Sequence, residues 1–260
     1  ELEGVTAMRL QRPGSRYDSD ETLWTFATEL ERSVSAIPGV ESAALSSDLP
    51  FRGGSSASYI FREGDGADDR IRYHRHFVTP SYFETLGLEI IDGRALTADD
   101  VDGARGVIVI TDAMAQRVYP GVRAVGQVMA LSPNGEDRAE IVGVVGDVRY
   151  RDVTTSLMAD ANSPDVFFSY WQIPSRGVEV SVRTQDGVEV AGATLRAAVS
   201  ALDPDLPVFQ LQPLTESWHA QTATPRFAAF LMTLFGGLAT LLACVGVYGV
   251  LAFAVGQRSQ

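Results

Sequence analysis

Residues 5–45, VTAMRLQRPGSRYDSDETLWTFATELERSVSAIPGVESAAL, carry two periodicities in turn, and their order decides the fold class. Val5 to Leu10 alternates at a period of two, as a strand does. Asp18-Ser-Asp-Glu21 then offers side chains that accept from the free amides of a helix start. Behind it Leu23, Phe26, Ala27, Leu30 and Val34 recur at helical spacing, which lays them on one face. Pro38-Gly39 stops the helix, and Val40 to Leu45 reads as a second strand. The chain therefore opens on a β-α-β unit.

The same order returns far along the chain. Val178-Glu-Val-Ser-Val-Arg183 alternates, Val188 to Leu202 has helical periodicity, and Asp203-Pro-Asp-Leu-Pro207 breaks it before the short strand Val208 to Leu211. AIPGVESAAL and ALDPDLPVFQL share a helix end, a Pro-containing turn and a strand, with too little identity to establish a repeat. Two such units predict an α+β fold of the split ferredoxin-like kind, built from residues 1–50 and 173–215 and interrupted by a β-rich lobe at 51–172. Within the insert, strands are expected at Ala57 to Phe61, Ile71 to Val78, Gly106 to Ile110, Gln127 to Leu131, Glu140 to Val148 and Val166 to Tyr170. Short helices are expected at Pro80 to Leu86 and Asp112 to Val118, and Pro133-Asn-Gly135 signals a hairpin.

Residues 216–226 read as a juxtamembrane helix leading into the uncharged run FAAFLMTLFGGLATLLACVGVYGVLAFAVGQ at 227–257, bounded by Arg226 and Arg258. About 20 helical residues cross a ~30 Å hydrocarbon core, so this run is long enough for a tilted transmembrane helix. A buried core helix is the alternative, but it would be shorter and keep a polar stripe. Gly236, Gly237, Gly246 and Gly249, with Ala239 and Ala243, thin the helix surface and are candidates for close packing against neighbouring helices. Glycine and alanine are also common in spans generally. One arginine at each end leaves the orientation open.

Net charge is −12, with acids grouped in Glu63-Gly-Asp65-Gly-Ala-Asp68-Asp69 and Asp99-Asp100-Val-Asp102. Such a surface serves solubility and disfavours nucleic acid, which needs a basic face. All 21 basic residues are arginine, a usage that fits the coding bias of a GC-rich genome. The single cysteine, Cys244, lies in the apolar run, so the chain can form no internal disulfide and no cysteine-based metal site. The sequence starts without methionine or a signal-peptide pattern and reads as a piece of a longer protein.

Candidate chemistry is sparse. His74 and His76 would share one strand face, but no third ligand follows at a metal-site spacing, so both are assigned to a surface or interface strand. His219 reads as an interfacial helix residue. Gly143-Val-Val-Gly146 lacks dinucleotide-loop spacing and reads as a bulge or tight turn. Ser46, Ser47, Ser55 and Ser56 sit outside any G-x-S-x-G elbow. Asp147 and Asp152, beside Arg149 and Arg151, read as surface ion pairs. No catalytic residue, metal ligand or cofactor site is assigned.

Several phrases, in order, resemble the extracytoplasmic core domain of MacB/FtsX-type ABC transporter permeases, and most of all the acidobacterial-type duplicated orphan permeases. They are Tyr82-Phe-Glu-Thr-Leu-Gly-Leu88, Asp92-Gly-Arg94, Val107-Ile-Val-Ile-Thr-Asp-Ala-Met-Ala-Gln-Arg117, Tyr119-Pro-Gly121, Val125-Gly126 and Ile141-Val-Gly-Val-Val-Gly-Asp-Val-Arg149. Leu202-Asp-Pro-Asp-Leu-Pro207 follows, then Arg226-Phe227 and the segment Gly246 to Arg258. The resemblance implies a porter-like subdomain holding an inserted lobe, followed by the first helix of the terminal transmembrane bundle. It further implies an inner-membrane location with the soluble domain outside the cytoplasm. The implied partners are the bilayer, the remaining permease helices, an ABC ATPase and a second copy or duplicated half. The ATPase would be a separate or a fused one, because this chain has no G-x-x-x-x-G-K-[ST] loop. The alternative function is a tail-anchored extracytoplasmic binding or sensor module, and a membrane-bound enzyme stands third for want of a polar cluster.

Overall fold

Ser19 sets the first helix in place. Its extended backbone and its hydroxyl, which accepts from the Thr22 amide, cap a sixteen-residue helix with Asp20 and Glu21 in its first turn, where the helix dipole favours negative charge. In this computed structural model the described residues are 3–52, 56–62, 70–132, 134–147, 164–185, 188, 190–217 and, in the apolar run, 232–233, 235–237, 239–240, 243 and 246. The chain divides into two units, residues 1–218 and 219–260.

In chain order the first unit contains β1 (Val5–Gln11), α1 (Asp20–Ser35), β2 (Val40–Ser46), β3 (Ser56–Arg62), β4 (Ile71–Val78), α2 (Tyr82–Leu86), β5 (Ile90–Gly93), β6 (Val107–Thr111) and α3 (Asp112–Val118). Then follow β7 (Val128–Ala130), β8 (Arg138–Val145), β9 (Asp165–Ser169), β10 (Gly177–Thr184), α4 (Gly192–Leu202) and β11 (Val208–Pro213). The strands hydrogen-bond in the order β11-β1-β10-β2-β4-β3-β7-β8-β6-β9, with β5 on β8. A further parallel pairing of β9 with β4 turns the second stretch into a closed ring of strands.

The terminal strands β11, β1, β10 and β2 are antiparallel neighbours. Alternation sends Met8, Leu10, Ala43, Leu45, Val178, Val180 and Val182 to one face, where they meet Leu23, Phe26, Ala27, Leu30 and Val34 of α1 and Leu195 and Val199 of α4. Each fully buried large apolar side chain there contributes roughly 1.5–3 kcal/mol. The opposite face carries Val5, Ala7 and Ala44 and packs on Tyr82, Phe83 and Leu86 of α2. A strand buried on both faces has no solvent side, which is how charged residues such as Glu179 come to be internal.

The structure alters several expected elements. The helix expected at Val188 begins at Gly192: the Val188 amide bonds the Gln185 carbonyl, and Val190 packs against the core ahead of the helix. β5 was not legible as a strand; it is four residues long and pairs with β8 through a register shift. β8 stops at Val145, where Gly146 donates instead to Glu89. Around Gly135, at φ 69°, the expected hairpin joins β7 to β8 in the register Met129 to Ala139.

In the second unit every described residue between 232 and 246 is helical, and the Thr240 hydroxyl donates to the Gly236 carbonyl at 2.8 Å. Among the described residues no helix is long and apolar enough to cross a membrane. Most of 227–257, with Gly249 and Cys244, lies outside the described residues, as do His219, Asp152 and most of 216–226.

Candidate functional site

A buried polar cluster of the first unit lies at the seam where β2 meets β4 through the single pair Ser46 and Val78. His76, on β4, is fully buried, as are Asp48 just beyond β2 and Asp165 at the head of β9. His76 Nδ1 lies 2.7 Å from Asp48 Oδ1 and Nε2 lies 2.8 Å from Asp165 Oδ1. A carboxylate against each ring nitrogen requires both to carry protons, so the ring is an imidazolium. Burial by itself pulls the His76 pKa down, but the charges and hydrogen bonds of Asp48 and Asp165 outweigh it and raise it to about 9. Phe167 packs against the ring at 5.2 Å between centroids.

Tyr82 closes this cluster from α2. Its hydroxyl is buried without a hydrogen-bond partner among the described residues, and burial, then Asp48 and Asp165, push its pKa far up. Asp48 Oδ2 is likewise buried and without a partner.

A second cluster adjoins the first. Arg9 and Glu179 face each other directly across β1 and β10, and Arg9 Nε donates to Glu179 Oε1. The buried Arg52 side chain brings Nε to 3.1 Å from Glu179 Oε2 and donates from Nη2 to the Gln210 carbonyl at 2.9 Å. Burial raises the Glu179 pKa, Arg52 and Arg9 oppose that, and Asp48 adds to it, which places the two clusters within electrostatic reach. Phe51 (φ 62°) and Gln210 (φ 47°) flank Arg52 in left-handed backbone, a cost of roughly 1–2 kcal/mol each that the ion pair helps to hold. Arg9, Arg52 and protonated His76 balance Glu179, Asp48 and Asp165, so the seam is neutral as a whole. Chemically it is a fastener. Its charges are paired with one another, and the carboxylates of Asp48 and Asp165 point at opposite edges of one imidazole rather than converging on a metal ion. Among the described residues no cluster of three or more His, Cys, Asp or Glu is arranged to hold a metal.

The histidines correct the sequence reading. Both were assigned to a surface or interface strand, yet His74 and His76 are buried, β4 being flanked by β3 and β9, and His76 being enclosed by Asp48, Asp165 and Phe167. Asp147 accepts from the Ala113 amide at 2.9 Å and so caps α3, while Arg149 and Arg151, its expected neighbours, lie outside the described residues. Asp100, within the acidic run, is buried and held by Arg94 at 2.8 and 3.0 Å. Gly143 sits at a bulge, as expected: between Ile108 and Val109 the register on β8 jumps from Ile141 to Gly143. Among the described residues, no atom lies within 4 Å of where a Cβ would stand on Gly236, Gly237 or Gly246. Sequence reasoning passed over Asp48, Asp165, Arg9, Arg52 and Glu179. The one available signal was a lone charge inside an apolar alternation, Arg9 in one strand and Glu179 in another.

The sequence profile of the MacB-like periplasmic core domain matches residues 4–200. Among solved structures, the periplasmic region of MacB from Actinobacillus actinomycetemcomitans aligns with a TM-score of 0.56 at 15% identity, covering 84% of this chain and 92% of that one. A domain of a putative permease protein from Porphyromonas gingivalis aligns with a TM-score of 0.50 at 15% identity, covering 82% and 91%. The comparison with curated proteins gives no sequence match.

Proposed function

The chain belongs to the MacB-like periplasmic core domain family, and from that premise we propose that it is the extracytoplasmic and membrane-anchoring part of an ABC transporter permease, coupling ATP-driven helix movement to export or other work outside the membrane. The family match over residues 4–200 carries the reading. The strand order β11-β1-β10-β2 supports it further. Each β-α-β unit leaves a one-strand gap that the other unit fills, the arrangement of a split ferredoxin-like porter subdomain. The seam suits a lobe that transmits motion, because a buried neutral charge network resists shear between the terminal strands and the insert. Within the same proposal, residues 227–257 are the first helix of the terminal bundle, an ATPase binds at the cytoplasmic side, and a second or duplicated half completes the permease.

Topology and partnership test this separately. In a Cys244→Ala background, a cysteine at the exposed position Ser35 should react with a membrane-impermeant maleimide added to spheroplasts, while one placed after Arg258 should react only after lysis. Co-purification of an ABC ATPase with the full-length protein supports transport. A protein correctly oriented but always free of an ATPase would favour a tethered binding module instead.

A further inference from the structure

A groove of about 740 Å³ runs between α1 and the insert. Trp24, Thr28 and Glu31 form one wall, with Pro80 and Ser81 at its end. Ala98, Val101, Asp102 and Trp171 form the other. The volume is that of a site for a drug-sized molecule.

Both walls are fixed before any ligand arrives. Glu31 Oε1 accepts from Ser81 Oγ at 2.6 Å and from Thr79 Oγ1 at 2.9 Å, and Thr79 is itself tied to Leu45. Opposite, Ser169 Oγ donates to the Asp100 carbonyl at 2.6 Å, the Asp102 amide bonds Trp171, and Gln172 Nε2 reaches the Arg105 carbonyl at 3.0 Å. The 97–105 loop therefore cannot fold away without breaking these bonds.

The polar groups left over define the ligand. Glu31 Oε2 accepts no hydrogen bond among the described residues, and burial holds the Glu31 pKa above its ordinary value, the mark of a carboxylate short of solvation. Trp24 Nε1 is buried without a partner among the described residues. Asp102 adds a second carboxylate, and no arginine or histidine lines the groove among the described residues. An anionic ligand would meet two negative charges, and a purely apolar one would leave Glu31 desolvated and unpaired. Aromatic faces beside carboxylates suit a cation carried on an apolar body.

We propose that this groove is a binding site for small amphipathic organic cations, with Trp24 and Trp171 against the apolar body and Glu31 and Asp102 countering the charge. The site rests on the groove alone and does not require the transport reading, so failure of either leaves the other standing. The test uses the whole chain in phosphatidylcholine nanodiscs, titrated with benzyltrimethylammonium and followed by tryptophan fluorescence and calorimetry. N-benzylacetamide and benzoate are the neutral and anionic comparisons. Saturable binding of the cation, at least tenfold tighter than either comparison and weakened at least tenfold by Glu31→Gln, is expected. Ala98→Trp, which fills the groove without touching the Glu31 hydrogen bonds, should abolish binding and carries the test if Glu31→Gln fails to fold. Equal binding of the three probes, full affinity in Ala98→Trp, or no saturable binding of the cation overturns the proposal.

Discussion

His76 Nε2 reaches Asp165 Oδ1 at 2.8 Å diagonally across a parallel strand pair in which His76 itself stands opposite Phe167, so the charge contact and the ring contact come from two residues of the same strand, two positions apart on β9. This pins the register of β9 on β4 and makes stability depend on one proton. The folded-state pKa of His76, about 9, lies above the ordinary value of 6.5. The folded state therefore binds the extra proton between these values, its stabilisation is complete below pH 6.5, and it is lost as pH rises through 9, with a slope of up to about 1.4 kcal/mol per pH unit. Urea unfolding at pH 6, 7.5 and 9 should show that decline, and His76→Gln should flatten it. A wild-type profile that is flat over this window would contradict the imidazolium assignment.

Glu179→Leu should be among the most damaging single changes in the first unit. It leaves the buried Arg52 guanidinium without its carboxylate and removes the partner of Arg9, and breaking a buried ion pair from one side costs about 3–5 kcal/mol. Glu179→Gln keeps the shape and some hydrogen bonding, so it should lose less. Thermal unfolding of the two variants compares them directly, and equal, small losses would mean the seam is not internal in solution.

Tyr82→Phe should do the opposite of what deleting a buried hydroxyl usually does. The hydroxyl has no partner among the described residues and faces two carboxylates, so its removal relieves a desolvated polar group at little packing cost. Stability should hold or rise by about 1 kcal/mol. A loss above about 1 kcal/mol would indicate that a bound water satisfies the group.

Two glycines separate steric need from backbone freedom. A Cβ on Gly143 would stand 2.0 Å from the Arg94 carbonyl oxygen, whereas one on Gly103, at φ 77°, would meet nothing within 4 Å. Gly143→Ala must part β8 from the chain after β5, and should cost about 3 kcal/mol or more. Gly103→Ala bears only the left-handed backbone penalty, about 1 kcal/mol. Chemical denaturation of both variants ranks them, and a reversed order would place the bulge elsewhere.

The sequence read well where periodicity is local. Leu23, Phe26, Ala27, Leu30 and Val34 were assigned to one helix face and all are buried on it. The bulge at Gly143 and the turn at Gly135 were legible because glycine has few reasons to be in those places. His76 was misread because alternation tells which residues share a face and not what covers that face. β9, some ninety residues downstream, brings the second carboxylate. Asp48 and Asp165 were passed over for the same reason. The groove walls come from α1 and the distant segments around Ala98 and Trp171, which no local pattern joins.

Gly246 lies in the run read as a span, is helical, and has open space, among the described residues, where a side chain would project. In lipid, helices gain little from apolar burial and associate through close backbone approach, which glycine allows and leucine blocks. Gly246→Leu, and by the same argument Gly249→Leu, should therefore weaken co-purification of the full permease bundle by severalfold. The first unit, which is separate from this run, should keep its unfolding midpoint within about 1 °C because none of its core contacts changes. Gly103→Leu serves as the converse control, straining the first unit while leaving assembly intact. Undiminished co-purification in both glycine variants of the run would remove it from the helix-packing interface, and a shifted midpoint would show that the two units are coupled.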